Sequence, residues 1–280
     1  NAVKYYDRFQ ARDQGKTQNT QDSYQIGYTY YKVGNYAKAA TELERLIEQG
    51  DVYSQSGNYT LGDVFLKMNN KQSARNAFLA ASKLTYDKQL QEDALYEYAK
   101  LSYELDFNTD ALAATRLYLK NYPRSRRNDE VKILLGEELL NSRNYKEAVE
   151  ILEPIPNKSE SAQVAYQKVT YYRGLEFYNE RAFENAIGIF LRSLKNPIDS
   201  KTEALTTYWM AESMYEVRKY GESVDNFERF LSMPEAKETD LSNYANYALA
   251  YAAFYGEQYK KAANYFEKFL RGAQIDQNTQ

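Results

Sequence analysis

"YKVGNYAKAATELERL", residues 31–46, sets an aromatic (Tyr36) three residues before a small residue (Ala39), and a large apolar one (Leu43) four residues after it. The cadence returns in "SRNYKEAVEIL" (142–152) and "GEQYKKAANYF" (256–266). Aligning on the small residue gives Ala39, Ala74, Ala111, Ala148, Ala186, Ser223 and Ala262, spaced by 35, 37, 37, 38, 37 and 39. Such a period marks a solenoid of serial units. Twelve residues earlier stands another small residue each time: Gly27, Gly62, Ala99, Gly136, Gly174, Ala211 and Ala250. Four residues later come Leu43, Phe78, Thr115, Leu152, Phe190, Phe227 and Phe266, of which Thr115 alone breaks the large apolar rule.

Each unit holds two apolar-periodic stretches separated by a break such as "GN" (34–35) or "NN" (69–70). That pattern predicts two antiparallel helices, A and B, joined by a short turn. Helix axes approach to about 8–10 Å only where the crossing side chains permit. The Gly or Ala of helix A is therefore expected to face the Ala of helix B. The bulky residue one turn on is expected to fill space toward the next unit. The preceding aromatic (Tyr36, Tyr145, Phe183, Tyr220, Tyr259) should cover the turn. At the turn, Gly34 is the one glycine; the others are Asn69, Asp106, Arg143, Arg181, Arg218 and Glu257. Arg and Glu adopt left-handed backbone less readily than Gly, Asn or Asp, so their turns are expected to be less regular.

The pattern resembles the tetratricopeptide repeat, with "LGDVFLKMNNKQSARNAFLAA" (61–81) and "YRGLEFYNERAFENAIGIFLRSL" (172–194) as good instances. The resemblance covers residues 20–272 and implies an all-α, right-handed α–α superhelix of about seven hairpins, starting near 20, 55, 92, 129, 167, 204 and 243. "LKNYPRS" (119–125) closes a helix B with Tyr-Pro, which resembles the tetratricopeptide proteins of the bacterial cell envelope, of the BamD-like and Tol–Pal-associated groups. This implies a periplasmic or cell-envelope setting, with a cytoplasmic adaptor as the alternative.

Composition narrows the function. The 280 residues are 43% hydrophobic with a formal net charge of −3, and Lys and Arg are dispersed, which argues against a nucleic-acid partner. No apolar run reaches the roughly 18–20 residues of a membrane span. The chain has no Cys and no His. Disulfides, thiolate metal sites and Ser–His or Cys–His couples are therefore excluded. No phosphate-binding G-x-x-x-x-G-K loop occurs. The adjacent acids Glu137–Glu138 and Glu92–Asp93 point to different helix faces and form no acid/base pair. No catalytic residue, metal or cofactor is assigned. The expected activity is protein binding, not catalysis.

At the ends, Ala2, Tyr6 and Phe9 repeat the spacing of Ala262, Phe266 and Phe269. Residues 1–19 are expected to hold helix B of a preceding repeat and a polar linker; a lone cap helix is the alternative. Residues 273–280 read as a polar tail without an amphipathic cap. Further repeats of the same protein are the expectation.

Numbering the small residue of helix A as position 8, position 5 reads Tyr24, Tyr59, Tyr96, Ile133, Tyr171, Tyr208 and Tyr247. Position 12 reads Tyr31, Leu66, Tyr103, Leu140, Tyr178, Tyr215 and Phe254. Seven residues is two helical turns, so both positions share one stripe. The resemblance places the A helices on the concave side, where these stripes become aromatic ladders. The rings either pack between A helices alone or also contact a ligand. Position 9 is freer to set specificity: Tyr28, Asp63, Lys100, Glu137, Leu175, Glu212 and Tyr251. The candidate peptide-contacting residues are Tyr24, Tyr28, Tyr59, Tyr96, Lys100, Tyr103, Glu137, Tyr171, Tyr178, Tyr208, Glu212, Tyr215, Tyr247 and Tyr251. The inner positions carry seven acids (Asp63, Asp93, Glu104, Glu130, Glu137, Glu212, Glu216) against four bases (Lys32, Lys67, Lys100, Lys168). A neutral or basic partner segment is therefore expected. The carboxylate clamp of chaperone-binding family members is missing: Gln21, Tyr24, Gln25 and Tyr28 occupy its places in the first full repeat, and Asp93 and Glu97 in the third. A self-associating scaffold without a groove ligand is the other function class.

Overall fold

Gly27 has no room for a side chain, since a Cβ there would lie 2.5 Å from Leu43 Cγ. The same close approach recurs at Gly62 against the Phe78 ring (2.7 Å) and at Gly174 against the Phe190 ring (2.2 Å). The bulky residue of helix B thus seats directly on the small residue of helix A in its own hairpin. To the expected filling of space toward the next unit this adds a contact within the hairpin itself. Thr115, the exception, lies in the hairpin whose position 8 is Ala99; it is buried, and its hydroxyl donates to Ala111 O at 2.7 Å.

The computed structural model describes Tyr6 and residues 19–278, with side chains through Arg271. Of the expected N-terminal helix, Ala2 and Phe9 lie outside the described residues, as does most of the polar linker. Tyr6 is helical and packs half-buried on the core of the first unit. Seven A helices are present among the described residues: α1 (Thr20–Lys32), α3 (Val52–Lys67), α5 (Lys88–Glu104), α7 (Asn128–Asn141), α9 (Glu160–Asn179), α11 (Ser200–Glu216) and α13 (Leu241–Tyr255). The B helices are α2 (Tyr36–Leu43), α4 (Lys71–Ser82), α6 (Asn108–Asn121), α8 (Tyr145–Leu152), α10 (Phe183–Ser193), α12 (Tyr220–Ser232) and α14 (Tyr259–Asn278). The last helix runs on through most of the segment read as a polar tail. No strand occurs among the described residues.

The chain forms two units, Asn1–Glu138 and Leu139–Gln280. In each, B helices pack on the following A helix, and successive A helices touch: α1 with α3 and α3 with α5, then α9 with α11 and α11 with α13. This serial stacking is that of an α–α solenoid. Ile26, Tyr30, Leu43, Leu61 and Phe78 are buried in the first unit, and Phe190, Phe227, Phe230 and Leu249 in the second.

All seven A–B turns have one geometry, against the expectation of irregular ones. Gly34, Asn69, Asp106, Arg143, Arg181, Arg218 and Glu257 all have positive φ, between 57° and 62° for the six that are not glycine. Two backbone bonds close each helix end, as when Arg218 N–H donates to Tyr215 O (3.0 Å) and Lys219 N–H to Met214 O (2.9 Å). Capping these otherwise unpaired carbonyls outweighs a left-handed strain of about 1–2 kcal/mol.

A second device fixes where the next A helix begins. The buried Gln55 side chain accepts from Asp87 N–H (2.7 Å) and donates to the carbonyls of Leu84 and Asp87. Gln167 likewise accepts from Asp199 N–H (2.9 Å) and donates to Asp199 O (2.9 Å). Asp87 and Asp199 are the N-caps of α5 and α11. Capping by these residues starts the A helices at 88 and 200, four residues before the positions read from the small-residue register.

Candidate functional site

Helical spacing does put positions 5, 9 and 12 on one side of the A helices, but packing divides them. Tyr96, Tyr171 and Tyr208 are buried. Tyr208 lies edge-on to Phe227 and Phe230, with ring centroids 5.7 and 5.3 Å away, and so belongs largely to the core. Tyr59 is half-buried against Phe78 (5.4 Å). Tyr24, Tyr103, Tyr178, Tyr215 and Tyr251 are half-buried, and Tyr28 and Tyr247 are exposed. Seven of the candidates, from Tyr24 to Glu137, lie in the first unit, and the rest in the second.

Three of the four position-12 tyrosines stand by an acid at position 9 of the following repeat. Tyr31 donates to Asp63, and Tyr103 to Glu137. Tyr178 feels the negative charge of Glu212. The Asp63 bond and partial burial push Tyr31 up to about 12; burial with Glu212 and Glu216 does the same for Tyr178. All three phenols are therefore neutral donors at pH 7. The intervening junctions lack this pairing, with Leu66 followed by Lys100 and Leu140 by Leu175.

In the first unit, cations of the chain itself stand among the acids of the wall. Arg127 ion-pairs with Asp93, and its guanidinium lies 4.6 Å from the Tyr96 ring centre. Tyr96 in turn donates to Glu130. Burial, with the charges of Asp93 and Glu104, raises the Glu97 carboxyl, and Lys100 and Arg127 offset only part of that rise. Lys100 thus stands as a counter-ion of the wall.

The second unit is different. Between α11 and α13 lies a hollow of about 420 Å³ lined by Tyr208, Glu212, Tyr215, Tyr244, Tyr247, Ala248 and Tyr251. Five of the candidate residues meet here. Tyr247 and Tyr251 sit edge to face at 4.8 Å. Glu212 accepts from Tyr208 Oη at 2.8 Å, and no Lys or Arg of the described residues pairs with it. Burial, with the charge of Glu216, raises its carboxyl from the ordinary value despite that bond. A larger hollow of about 750 Å³ includes Tyr171 together with Lys168, Tyr172, Asp199 and Lys201, where charges of both signs meet. Tyr244, at position 2, and Tyr172 are lining residues outside the sequence-derived set. The pairing of Tyr247 with Tyr244 one helical turn earlier was the available signal for the former.

Among the described residues, no cluster of potential metal ligands occurs, and no helix is long and apolar enough to cross a membrane.

Tetratricopeptide-repeat family models match residues 23–49 and 59–126. Among solved structures, a tetratricopeptide repeat protein from Parabacteroides merdae is 16% identical, over 90% of this chain and 92% of that one, with a TM-score of 0.43. The C-terminal part of a repeat-containing protein from Cytophaga hutchinsonii is also 16% identical, over 89% and 94% of the two chains, with a TM-score of 0.48. None of the functionally curated proteins matches.

Proposed function

We propose that this tetratricopeptide-repeat protein holds a segment of another protein against the A helices of its second unit, as an interaction scaffold and not as an enzyme. Tetratricopeptide repeats generally serve as such scaffolds, and the matched segments support that class of function here. The observation that carries the reading is the hollow between α11 and α13, where five tyrosines surround one carboxylate. Tyrosine combines a broad apolar ring with a polar tip at low conformational cost, which suits recognition of a peptide. The test is photo-cross-linking from a benzophenone amino acid at position 247 or 251, with position 191 on a B helix as the comparison. Leu191 is 53% exposed, so it samples freely accessible surface. The partner should cross-link from 247 and 251, and Tyr247→Ala should weaken capture by about 2 kcal/mol, roughly thirtyfold, with helicity unchanged. Equal cross-linking from 191 would remove the groove from consideration.

The setting we favour is the cell envelope, on the resemblance carried by Tyr122-Pro123 just after α6. Fractionation of the producing cells tests it, and recovery in the cytoplasm would support the adaptor alternative.

A further inference from the structure

We propose that the hollow between α11 and α13 receives the guanidinium of an arginine in the bound segment. This rests on the groove reading above and adds the chemistry of one partner side chain.

The first observation is the wall itself. Glu212 is a carboxylate among tyrosine rings whose one donor among the described residues is Tyr208 Oη. Taking a charge out of water is costly unless a counter-charge meets it. The faces of aromatic rings attract cations, and the lining residues Tyr244 and Tyr247 are 63% and 42% exposed. Ring faces and an uncompensated carboxylate together select a flat cation. An acidic segment is repelled, and a neutral one leaves Glu212 unpaired.

The second observation comes from the other unit. Arg127 stands nine residues before Gly136, the small residue of its repeat, and Leu241 stands nine before Ala250. Lys100 at position 9 of the third repeat corresponds to Glu212 in the sixth. The first unit therefore carries two cations where the second has a leucine and an acid. In the first unit the guanidinium sits 4.6 Å from the centre of the Tyr96 ring and ion-pairs with Asp93. The corresponding position-5 ring of the sixth repeat, Tyr208, has no such cation from its own chain among the described residues. Arginine fits better than lysine, because a planar fork can lie on a ring and bond a carboxylate at once.

The experiment titrates the full chain, labelled at alanine methyl groups, with capped pentapeptides carrying arginine, citrulline, norleucine or glutamate between serines. Ala248, in the lining, is the reporter. Citrulline keeps the shape of arginine and removes its charge. The arginine peptide should give a saturable shift at Ala248, with at least tenfold weaker binding for citrulline and none for glutamate. Glu212→Gln should weaken the arginine peptide about tenfold and leave citrulline unchanged. Tyr244→Ala, at an exposed ring, should weaken it severalfold without loss of helicity. Equal binding of arginine and citrulline, or the absence of any shift at Ala248, overturns the inference. If norleucine binds as tightly as arginine, or if cross-links form from 247 without peptide shifts, the groove stands and its arginine does not. If cross-links and shifts both fail, both readings fall.

Discussion

The inner faces of the two units are made from the same positions, yet the first sets cations of its own chain around the Tyr96 ring and the second sets none around Tyr208 among the described residues. In the first, Arg127 and Lys100 stand among Asp93, Glu97 and Glu130, so part of the acid charge is offset within the chain. In the second, Glu212 has only a phenol to bond it, and a hollow remains beside it. The difference teaches that repeating a hairpin fixes the ring scaffold but not the charge laid upon it. A few substitutions on a repeated geometry change which charges face the rings: Arg127 and Lys100 in the first unit correspond to Leu241 and Glu212 in the second.

The largest effect should show what the two faces share. Tyr96→Ala and Tyr208→Ala should each lose about 3–5 kcal/mol in chemical denaturation, because both rings are buried. A small loss at Tyr208 would mean that its ring serves the groove and not the core. Gly62→Ala and Gly174→Ala come next, at about 1–3 kcal/mol, since the new methyl meets Phe78 or Phe190. A loss in one unit alone would show that the hairpins are not equivalent. Arg127→Leu should cost about 0.5–1 kcal/mol and less in high salt, because the pair with Asp93 is partly solvated. If salt has no effect, the charge pairing assigned to the first unit is wrong.

The smallest effect is the sharpest contrast. Glu212 faces Tyr208 and Glu216 on its own helix, Tyr178 on α9, and the tyrosines of α13 across the hollow. Its folded-state pKa is raised, so the folded form holds the proton more tightly than the unfolded one. Stability therefore falls as pH climbs from the ordinary carboxylate value through the raised one. Glu212→Gln should raise Tm by about 1–3 °C at pH 7, and the gain should vanish below about pH 4. Glu97→Gln should gain less, because Lys100 and Arg127 offset part of its burial and no cation of the described residues does so at Glu212. Equal gains would erase the distinction between the faces.

The hairpin register could be read directly, because small residues opposite bulky ones leave a spacing that survives changes in spelling: Gly27 with Leu43, Gly174 with Phe190. Turn geometry could not. Arg218 and Glu257 argue against a left-handed conformation by their own preference, and backbone capping overrides it. Helical periodicity groups the ring positions, but period alone does not separate buried Tyr208 from exposed Tyr247. That division depends on Phe227 and Phe230, which arrive from helix B. Arg127 lay outside the counted positions because it precedes its helix. Gln55 and Gln167 gave no pattern of their own, since their partners are backbone groups about thirty residues away.

The alternation of tyrosine and acid has a bearing on how this chain tolerates rearrangement. Tyr31 meets Asp63, and Tyr103 meets Glu137, while the junction between those pairs sets Leu66 before Lys100. Excising the second hairpin alone would bring Tyr31 opposite Lys100 and strand its phenol. Excising the second and third together would bring it opposite Glu137 and restore an acceptor. The modular element that can be lost, gained or transplanted here is therefore a doublet.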